Sequence, residues 1–472
     1  MLWSLFLLAC HPSDPKAPAL TLSPSSGSSA GYYTVEADLA ALGLSADEVL
    51  GVRIAGVAAL DLSPTEHGDL RFLVQGAPEP GAADVALDTP DGELVFAGAF
   101  TYDPPVDPAF DRVVSLGASL SMGAVSGAFT REDATASAPA LIASSAGAYL
   151  GLPLLVEGLL TPISIADLDG SCAIPSYTDH LNAAVSDLLS ALKDPETGAP
   201  NPARGRLDPD LEVRNHAVAG TNLGEFLDVG LVSVSETALG HIINEPDGGL
   251  FDPLSYSQLA LAEADAPTLI LSLDPLVNDG VDAVTSGEDL EIESVTPLDA
   301  LEPGLRSFVE RLASTGAEVY LGNSPRPSAL PIAAQDAARL VAAGQPEAEV
   351  ADTLDALDEA VAAQNALLAS VAAEWPNVHI VDFAAVVETI DAEGLDVGDT
   401  HLSTASFGGL ISLDGIHYTH TGYAVMANVT LAALRDTLGV ALDDIDLEAA
   451  LAGDPLSPAA LAAAGFDASA CE

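Results

Sequence analysis

The stretch RVVSLGASLSMG, residues 112–123, shows the pattern that recurs over most of the chain. It opens with a short apolar run and then stops in a turn of small residues, which is typical of a strand buried on both faces of a parallel sheet. Later stretches repeat this pattern and complete a set of candidate strands: LEVRNHAVAG (211–220), PTLILSLDP (267–275), AEVYLGNSP (317–325) and NVHIVDFA (377–384).

Segments with helical spacing of their apolar residues lie between these runs. The clearest are LEPGLRSFVERLAST (301–315), VADTLDALDEAVAAQNALLASVAAEW (350–375) and TGYAVMANVTLAALRDTL (421–438). Strands that alternate with helices predict an α/β domain in which helices cover both faces of a parallel sheet. Ligands of such sheets bind at the carboxyl ends of the strands. Functional residues are therefore expected where the apolar runs stop.

A different pattern precedes this domain. Short alternating stretches separated by turns, such as AADVALDT (82–89) and ELVFAGAFTYD (93–103), follow one another at fairly regular spacing and predict a small all-β sandwich. A chain of 472 residues is long enough for more than one domain. We predict four regions: a signal and tether over 1–18, the β-sandwich over 19–104, the α/β domain over 113–440 and a C-terminal helical tail over 441–472.

The first ten residues, MLWSLFLLAC, are apolar apart from Ser4. This run is too short to span a membrane and resembles the apolar region of a secretory signal. Its ending resembles a bacterial lipobox, in which the cysteine becomes the lipidated N-terminus, so Cys10 is the expected anchor. Two features depart from that pattern: no Lys or Arg precedes the run, and Leu8 is bulky for its position. We expect an exported outer-membrane lipoprotein, facing the periplasm or the cell surface; a plain secretory signal is the alternative.

Two cysteines remain after Cys10, namely Cys172 and Cys471. In an oxidising compartment they predict one disulfide. Closing so long a loop would stabilise the fold by about 4 kcal/mol. Two free thiols are the alternative.

The charge balance excludes two classes of partner. The chain has 14 Lys and Arg against 70 Asp and Glu, for a formal net charge of -56. Binding of nucleic acid needs basic residues that neutralise phosphates, and docking on anionic lipid needs them as well. We interpret the acidity as a solvated surface that keeps an exported protein soluble. Some Ca²⁺ binding is the alternative, with DLDGS (167–171) as the best local candidate.

Three predicted strands end in residues that acyl-transfer chemistry uses. Ser119 follows the first strand at a sharp turn before a helix, where a nucleophile is held exposed. Gly220 ends the second run, and its N–H can approach a ligand closely because it has no side chain. Asn278 follows the third run, where its amide can stabilise an oxyanion. Each of these residue types is also common in ordinary turns, so none decides the function alone.

A carboxylate and a histidine stand close together in LDGIHYTHTGY (413–423). Asp414 precedes His417 by three residues, on a predicted loop before a helix. At this spacing the carboxylate can reach Nδ1 of the imidazole and fix its tautomer, which leaves Nε2 free as a base towards a serine. His216 and His420 lie near the same predicted site, and we expect supporting or surface roles for them.

The order of these residues resembles that of a known superfamily. Each candidate stands at the end of an apolar run, in the order of the sequence blocks of the SGNH hydrolases (GDSL esterases and lipases): Ser119, Gly220, Asn278, and the pair Asp414 and His417. The resemblance covers the predicted α/β domain and implies a flavodoxin-like three-layer fold. It implies a catalytic triad of Ser119, His417 and Asp414. It also implies an oxyanion hole formed by the N–H groups of Ser119 and Gly220 and the side chain of Asn278, with no metal and no cofactor.

The N-terminal domain is similar to a second family. The stretches LSPSSGSSAG (22–31), VRIAGVAA (52–59) and FTY (100–102) resemble the IPT/TIG family of immunoglobulin-like domains. This resemblance implies an immunoglobulin-like sandwich.

Three positions depart from the SGNH pattern. Ala118 stands where the first block usually has Asp, Leu276 where the Asn block has Gly, and Tyr418 where Pro usually follows the catalytic His. The missing Asp is mainly a local organiser of the loop and not a proton carrier. Its loss is expected to weaken or retune the oxyanion hole.

The sequence therefore predicts a carboxylic ester hydrolase, an esterase or lipase that acts through an acyl-enzyme. The expected substrate is a short-chain ester, an acyl lipid or an acylated glycan, and membrane contact is made only through the lipid anchor. Two alternatives stay open. One is a catalytically weak surface lipoprotein that binds or adheres through its β-sandwich. The other is an acyltransferase that uses the same residues to pass the acyl group to a glycan.

Overall fold

The computed structural model describes residues 19–466 and 468, with gaps at 158–159, 169–179, 181–182, 184–185, 187, 189, 200, 229, 231–233, 246–252, 286–289 and 291. Cys10, Cys172 and Cys471 lie outside the described residues, so the lipid anchor and the disulfide stay predictions. The chain divides into two compact units, the first ending at Asp103 and the second beginning at Pro104. They are called the N-terminal unit and the C-terminal unit below.

The N-terminal unit consists of strands in two sheets, with only single-turn helices between them. The first sheet has the order β1-β3-β7-β6 and the second the order β2-β9-β8-β4-β5. The strands are β1 (Thr21–Ser23), β2 (Ser26–Ser28), β3 (Gly31–Asp38), β4 (Gly51–Ile54), β5 (Val57–Ala58), β6 (Leu60–Pro64), β7 (Leu70–Gln75), β8 (Gly81–Thr89) and β9 (Gly92–Asp103).

The two sheets of this unit share one apolar core. Val35 of β3 lies opposite Phe72 of β7, and both side chains are buried. They belong to the same cluster as Val85 and Phe100 of the second sheet. A further link is polar, since the buried hydroxyl of Tyr102 donates to the carbonyl oxygen of Gln75 across the sheets at 2.9 Å. Alternating side chains that meet in one core explain why the sequence shows a period of two here.

The C-terminal unit is built around a parallel sheet of β10 (Val113–Ser115), β11 (Leu269–Ser272), β12 (Glu318–Gly322) and β13 (Val378–Val381), in that order. One row of paired residues crosses the whole sheet: Val114, Ile270, Val319 and Val378. All four are buried in one apolar cluster. The short apolar runs of the sequence are therefore strands buried between two layers, as parallel sheets require.

The second predicted strand is much shorter than the run 211–220. Only Asn215 pairs with the sheet, in a parallel bridge to Ser115. The bridge consists of two hydrogen bonds of 2.8 Å, in which the N–H of His216 donates to Ser115 and the N–H of Ser115 donates to Arg214. The N–H groups of Arg214 and Val218 bind other segments, since they donate to Leu150 at 3.0 Å and to Gly117 at 3.1 Å. Counting this bridge as the second strand along the chain, the order across the sheet is 2-1-3-4-5.

Helices cover the sheet on both faces. Leu305 and Phe308 of one helix pack in the cluster that holds the Val114 row, whereas Tyr320 of β12 is hydrogen-bonded on the opposite face to Thr437. The described helices are α1 (Ser119–Met122), α2 (Arg131–Ala136), α3 (Ala138–Ala146), α4 (Leu223–Leu227), α5 (Val234–Asn244), α6 (Gln258–Ala264), α7 (Val277–Thr285), α8 (Leu298–Ser314), α9 (Pro331–Ala342), α10 (Glu347–Ala372), α11 (Phe383–Glu393), α12 (His420–Leu438), α13 (Leu447–Gly453) and α14 (Pro458–Ala463).

The predicted C-terminal tail contains α13 and α14 and contacts the start of α12. Asp454 accepts hydrogen bonds there from the N–H and the hydroxyl of Thr421, at 2.8 and 2.7 Å. A short antiparallel pair that the sequence did not predict, β14 (Leu395–Val397) and β15 (Thr400–Leu402), precedes α12. Among the described helices, we find none that is both long and apolar enough to cross a membrane. The chain is thus a mixed α/β protein that combines a helix-covered parallel sheet with an all-β unit.

Candidate active site

The turn after β10 carries Ser119 as the first residue of α1. We call residues 117–121 the nucleophile turn. Its entry is tight, because a Cβ on Gly117 would lie 2.1 Å from Oδ1 of Asp274, where no side chain fits. The N–H of Ser119 belongs to the first turn of a helix, where backbone N–H groups have no intrahelical partner. Ser119 is 7% exposed, so its hydroxyl sits in a largely desolvated place and can still be reached.

His417 brings its imidazole to this hydroxyl. Nε2 of His417 lies 2.8 Å from Oγ of Ser119, and Nδ1 lies 2.7 Å from Oδ2 of Asp414. Ser119 and His417 are 298 positions apart in the chain. Asp414 and His417 are both buried, at 0% and 1% exposure. The three predicted triad residues thus form one continuous hydrogen-bonded chain.

Asp414 is held as a charged group. Its Oδ1 accepts from the hydroxyl of Ser412 at 3.0 Å and from the N–H groups of Ile416 and His417 at 2.9 Å each. Burial alone would raise the pKa of this carboxyl, but the charge interaction with His417 and these hydrogen bonds outweigh it and hold the pKa at about 2. An ionised Asp414 can only accept, so it binds Nδ1–H of His417 and leaves Nε2 without a proton, facing Ser119.

A second loop, at Ser126 and Gly127, supports the Asp414 loop. The N–H of Gly127 donates to Oδ2 of Asp414 at 2.7 Å, and the N–H of Ser126 donates to the hydroxyl of Ser412 at 2.9 Å. In return, the N–H of Leu413 donates to the hydroxyl of Ser126 at 3.2 Å. Sequence reasoning missed these residues, since a Ser-Gly turn carries no local sign of a partner 287 positions away.

Thr221, the residue after Gly220, connects Asn278 to the nucleophile turn. Gly220 has φ +89° in an exposed turn, a conformation that favours glycine. The next residue, Thr221, accepts a hydrogen bond from the side-chain amide of Asn278 at 2.8 Å. The hydroxyl of Thr221 in turn lies 3.3 Å from the carbonyl oxygen of Gly117. This hydrogen bond uses one N–H of the Asn278 side-chain amide and fixes the orientation of the amide. The second N–H of the same amide is the one proposed for the oxyanion.

Gln258, at the start of α6, connects two of these loops. It is buried, and its Oε1 accepts from the N–H of Gly117 at 3.0 Å while its Nε2 donates to the hydroxyl of Thr221 at 3.1 Å. The side chain therefore holds the nucleophile turn and the Gly220 turn in one arrangement. Nothing in the sequence indicates this role, because a glutamine at the first position of a helix is usually an ordinary polar residue.

The two other histidines near the site have partners of their own. His216 lies between Asn244 and Asp265, with both ring nitrogens at 2.8 Å from an oxygen. Nε2 of His420 lies 2.7 Å from Oδ1 of Asp133. Burial would lower the pKa of His420, but its hydrogen bond to Asp133 and the charge of that residue raise it. Neither is hydrogen-bonded to Ser119, so both fit the supporting roles expected of them.

Within the described part of the chain we find no group of three or more His, Cys, Asp or Glu side chains that could hold a metal ion. Part of DLDGS (167–171) lies outside that part. Behind the site, Leu120, Val277 and Tyr418 line an apolar cavity of about 20 Å³.

No protein-family model matches this chain, and no curated protein shows significant similarity to it. The function of this chain is therefore inferred from the geometry of the site.

Proposed function

We propose that this protein is a serine carboxylic ester hydrolase. The observation that carries the proposal is the continuous hydrogen-bonded chain from Ser119 through His417 to Asp414, at 2.8 and 2.7 Å. A hydroxyl within hydrogen-bond reach of a base, which is in turn oriented by a buried carboxylate, is the arrangement that activates a serine nucleophile. The same pair of distances would not be needed in a protein that only binds.

The reaction begins when Oγ of Ser119 attacks the ester carbonyl and Nε2 of His417 takes its proton. The tetrahedral oxyanion is stabilised by N–H donors, for which the N–H groups of Ser119 and Gly220 and the second N–H of Asn278 are the candidates. The imidazolium then gives its proton to the departing alcohol as the ester C–O bond breaks. An acyl-enzyme on Ser119 remains.

Water completes the cycle. His417 takes a proton from a water molecule as its oxygen attacks the acyl carbon, and the proton returns to Oγ of Ser119 as the acid leaves. Ionised Asp414 stabilises the imidazolium in both halves of the reaction. No step calls for a metal or an organic cofactor. If a sugar hydroxyl takes the place of water, the same residues carry out acyl transfer to a glycan, which is the second outcome that the site supports.

The topology agrees with this proposal. The order 2-1-3-4-5 is the flavodoxin-like order, whose ligand site lies where the strand order reverses, between the first and third strands. Ser119 follows the first strand, and Asn278 follows the third. We therefore propose an SGNH-type α/β domain and, on the evidence of its two-sheet core, an immunoglobulin-like N-terminal unit. Export as a lipoprotein anchored at Cys10 remains part of the proposal.

The test is hydrolysis of p-nitrophenyl acetate, butyrate and octanoate by the purified protein and its Ser119→Ala variant. We expect turnover that depends on chain length and is lost in the variant. Ser457→Ala is a matched control, because Ser457 only caps α14; it should keep full activity at a stability cost of about 1 kcal/mol. Equal background rates in the wild type and in Ser119→Ala would contradict the esterase and favour a binding module.

A fluorophosphonate that reacts with activated serines gives an independent check. Mass spectrometry should place the adduct on Ser119 in the wild type, and none should form after His417→Ala. An added glycan acceptor then separates hydrolysis from transfer, since only a transferase yields the acylated glycan. An adduct that still forms without His417 would contradict the assigned base.

A further inference from the structure

A buried carboxylate outside the triad holds the nucleophile turn. Asp274 follows β11 and is 3% exposed. Its Oδ2 accepts from the N–H groups of Ala118 and Ser121, both at 3.1 Å, and its Oδ1 accepts from the hydroxyl of Ser121 at 2.5 Å. All three donors belong to the nucleophile turn, and they stand on both sides of Ser119.

These bonds determine where Ser119 points. The direction of its hydroxyl, and of its own N–H, follows from the backbone at 118 and 121, which the carboxylate clamps. Gly117 is close to the same group, since only a residue without a side chain leaves room for Oδ1 of Asp274. The absence of a side chain at Gly117 is therefore what allows the Asp274 carboxylate to lie against the nucleophile turn.

Burying this carboxylate is expensive, which argues that the contact is not incidental. Burial raises the pKa of Asp274, and the hydrogen bonds from Ser121 and Ala118 work against that rise. A buried charged or polar group is tolerated only where donors replace the lost water. Here three donors do so, and all of them come from the segment that carries the nucleophile.

The position next to Ser119 carries no such group itself. The side chain of Ala118 is fully buried in an apolar cluster with Val277 and Leu330. A carboxylate at 118 would replace a methyl group that packs among apolar side chains, where a charge is costly. Asp274 reaches the turn from the end of β11, the strand next to β10.

We propose that Asp274 is the positioning residue of the nucleophile turn, and that it supplies from the neighbouring strand the carboxylate that is absent at position 118. This role rests on the proposed esterase function, because the turn matters only if Ser119 is the nucleophile. Asp274 does not contact Oγ of Ser119 through any hydrogen bond of the described structure, and it acts through the backbone. Loss of the clamp should therefore lower kcat and leave KM nearly unchanged.

The test compares Asp274→Ala with Asp454→Ala in the full-length protein. Asp454 is a close match, because it is 2% exposed and also accepts from two N–H groups and one hydroxyl, those of Thr421 and Leu456. Its donors do not belong to the nucleophile turn. Both variants should lose stability to a similar extent, since each leaves three buried donors without an acceptor.

Only Asp274→Ala should lose activity. Displacing a reacting group by about 1 Å can cost about 100-fold in rate, so we expect kcat for p-nitrophenyl butyrate to fall by about that factor, with KM within about twofold. Asp274→Asn should recover much of it, because a flipped amide can still accept from both N–H groups and donate to the hydroxyl of Ser121. Wild-type kcat in folded Asp274→Ala, or an equal loss in Asp454→Ala, would overturn the proposal.

Hydrogen exchange followed by mass spectrometry separates this proposal from the esterase function. The peptide that covers 116–124 should exchange at least about tenfold faster in Asp274→Ala than in the wild type, because two of its amides lose their acceptor. It should exchange at the wild-type rate in Asp454→Ala. If the wild type shows no turnover that depends on Ser119, the esterase function fails. Unchanged exchange in Asp274→Ala overturns the positioning role whatever the activity.

Discussion

Replacing Asp414 with Asn tests the direction of proton transfer in the proposed triad. The substitution keeps the shape of the side chain and removes its charge. Oδ2 of Asp414 accepts from Nδ1 of His417 and from the N–H of Gly127, whereas Oδ1 accepts from three donors, two of which are N–H groups. An amide must place its NH₂ at one of these positions. The Oδ2 position meets one backbone N–H group and the Oδ1 position meets two, whereas the imidazole can change its tautomer, so we expect the NH₂ at the Oδ2 position.

That orientation reverses the tautomer of His417. Nδ1 would now accept from the amide introduced at position 414, and the proton would sit on Nε2, facing Ser119 as a donor. A donor cannot take the serine proton, and an inverted tautomer in a serine triad costs about 10⁴ in kcat. We therefore expect kcat to fall by about this factor while KM changes little, because no substrate contact is removed.

The same substitution has a stability effect whose pH dependence can be derived. The pKa of Asp414 is about 2 in the folded protein against an ordinary 3.8. A depressed folded-state pKa adds stability that is fully present above the unfolded pKa and is lost as the pH falls through the folded pKa. The difference between these two pKa values contributes about 2 kcal/mol to the free energy of unfolding at neutral pH. The Gly127 N–H left without an acceptor adds about 1–3 kcal/mol that does not depend on pH.

The assay is urea unfolding of the C-terminal unit at pH 7, 4 and 2, followed by the fluorescence of Trp375, which packs against the cluster of the Val114 row. The stability gap between the wild type and Asp414→Asn should narrow by about 2 kcal/mol between pH 4 and pH 2. Steady-state hydrolysis of p-nitrophenyl butyrate measures kcat. Activity within tenfold of the wild type, or a stability gap that does not change with pH, would refute the charged-carboxylate reasoning.

Three more substitutions test other parts of the site. Asn278→Ala should lower kcat for p-nitrophenyl esters by about 10²–10³ and, through the lost hydrogen bond to Thr221, lower the free energy of unfolding by about 1 kcal/mol; activity within threefold of the wild type would rule out an oxyanion role. Ser126→Ala removes the acceptor of the Leu413 N–H, so urea unfolding should show a loss of about 1 kcal/mol, and no loss would mean that this loop does not support Asp414. Ala118→Asp should destabilise the C-terminal unit by about 3 kcal/mol or more, since it places a carboxylate in the apolar cluster that holds Ala118; wild-type stability in urea would contradict our account of that position.

Local patterns were sufficient to predict the main elements. The strands β10 to β13 are buried between two layers of helices. A strand that is buried on both faces is a continuous apolar run, which can be recognised in the sequence. The long helices α8 and α10 could be predicted from the helical spacing of their apolar residues, because only one side of each is buried. The first two turns of α12 are buried on all sides. The run 211–220 was overestimated. Its composition suits a strand, but only Asn215 forms a bridge to the sheet, since the N–H groups of Arg214 and Val218 are bound by Leu150 and by the nucleophile turn.

Within the site, the sequence by itself determined the part that is local. Asp414 and His417 are three residues apart, so one short loop holds them together. The order of Ser119, Gly220, Asn278 and this pair predicted acyl transfer only through its resemblance to the SGNH hydrolases. The charge of Asp414, and with it the tautomer of His417, depends on hydrogen bonds from Gly127 and other groups that only the folded chain brings together.

Tertiary structure alone decided what orients these groups. The missing Asp at position 118 suggested a loosened turn, but Asp274 reaches the same turn from the next strand, 156 positions away from Ala118. Gln258 and Gly127 also act over separations of more than a hundred residues. Hydrogen bonds extend over about 3 Å, so which distant side chains fall within that range depends on how the strands and loops pack. That packing follows from the burial of many apolar side chains together and not from any short stretch of sequence.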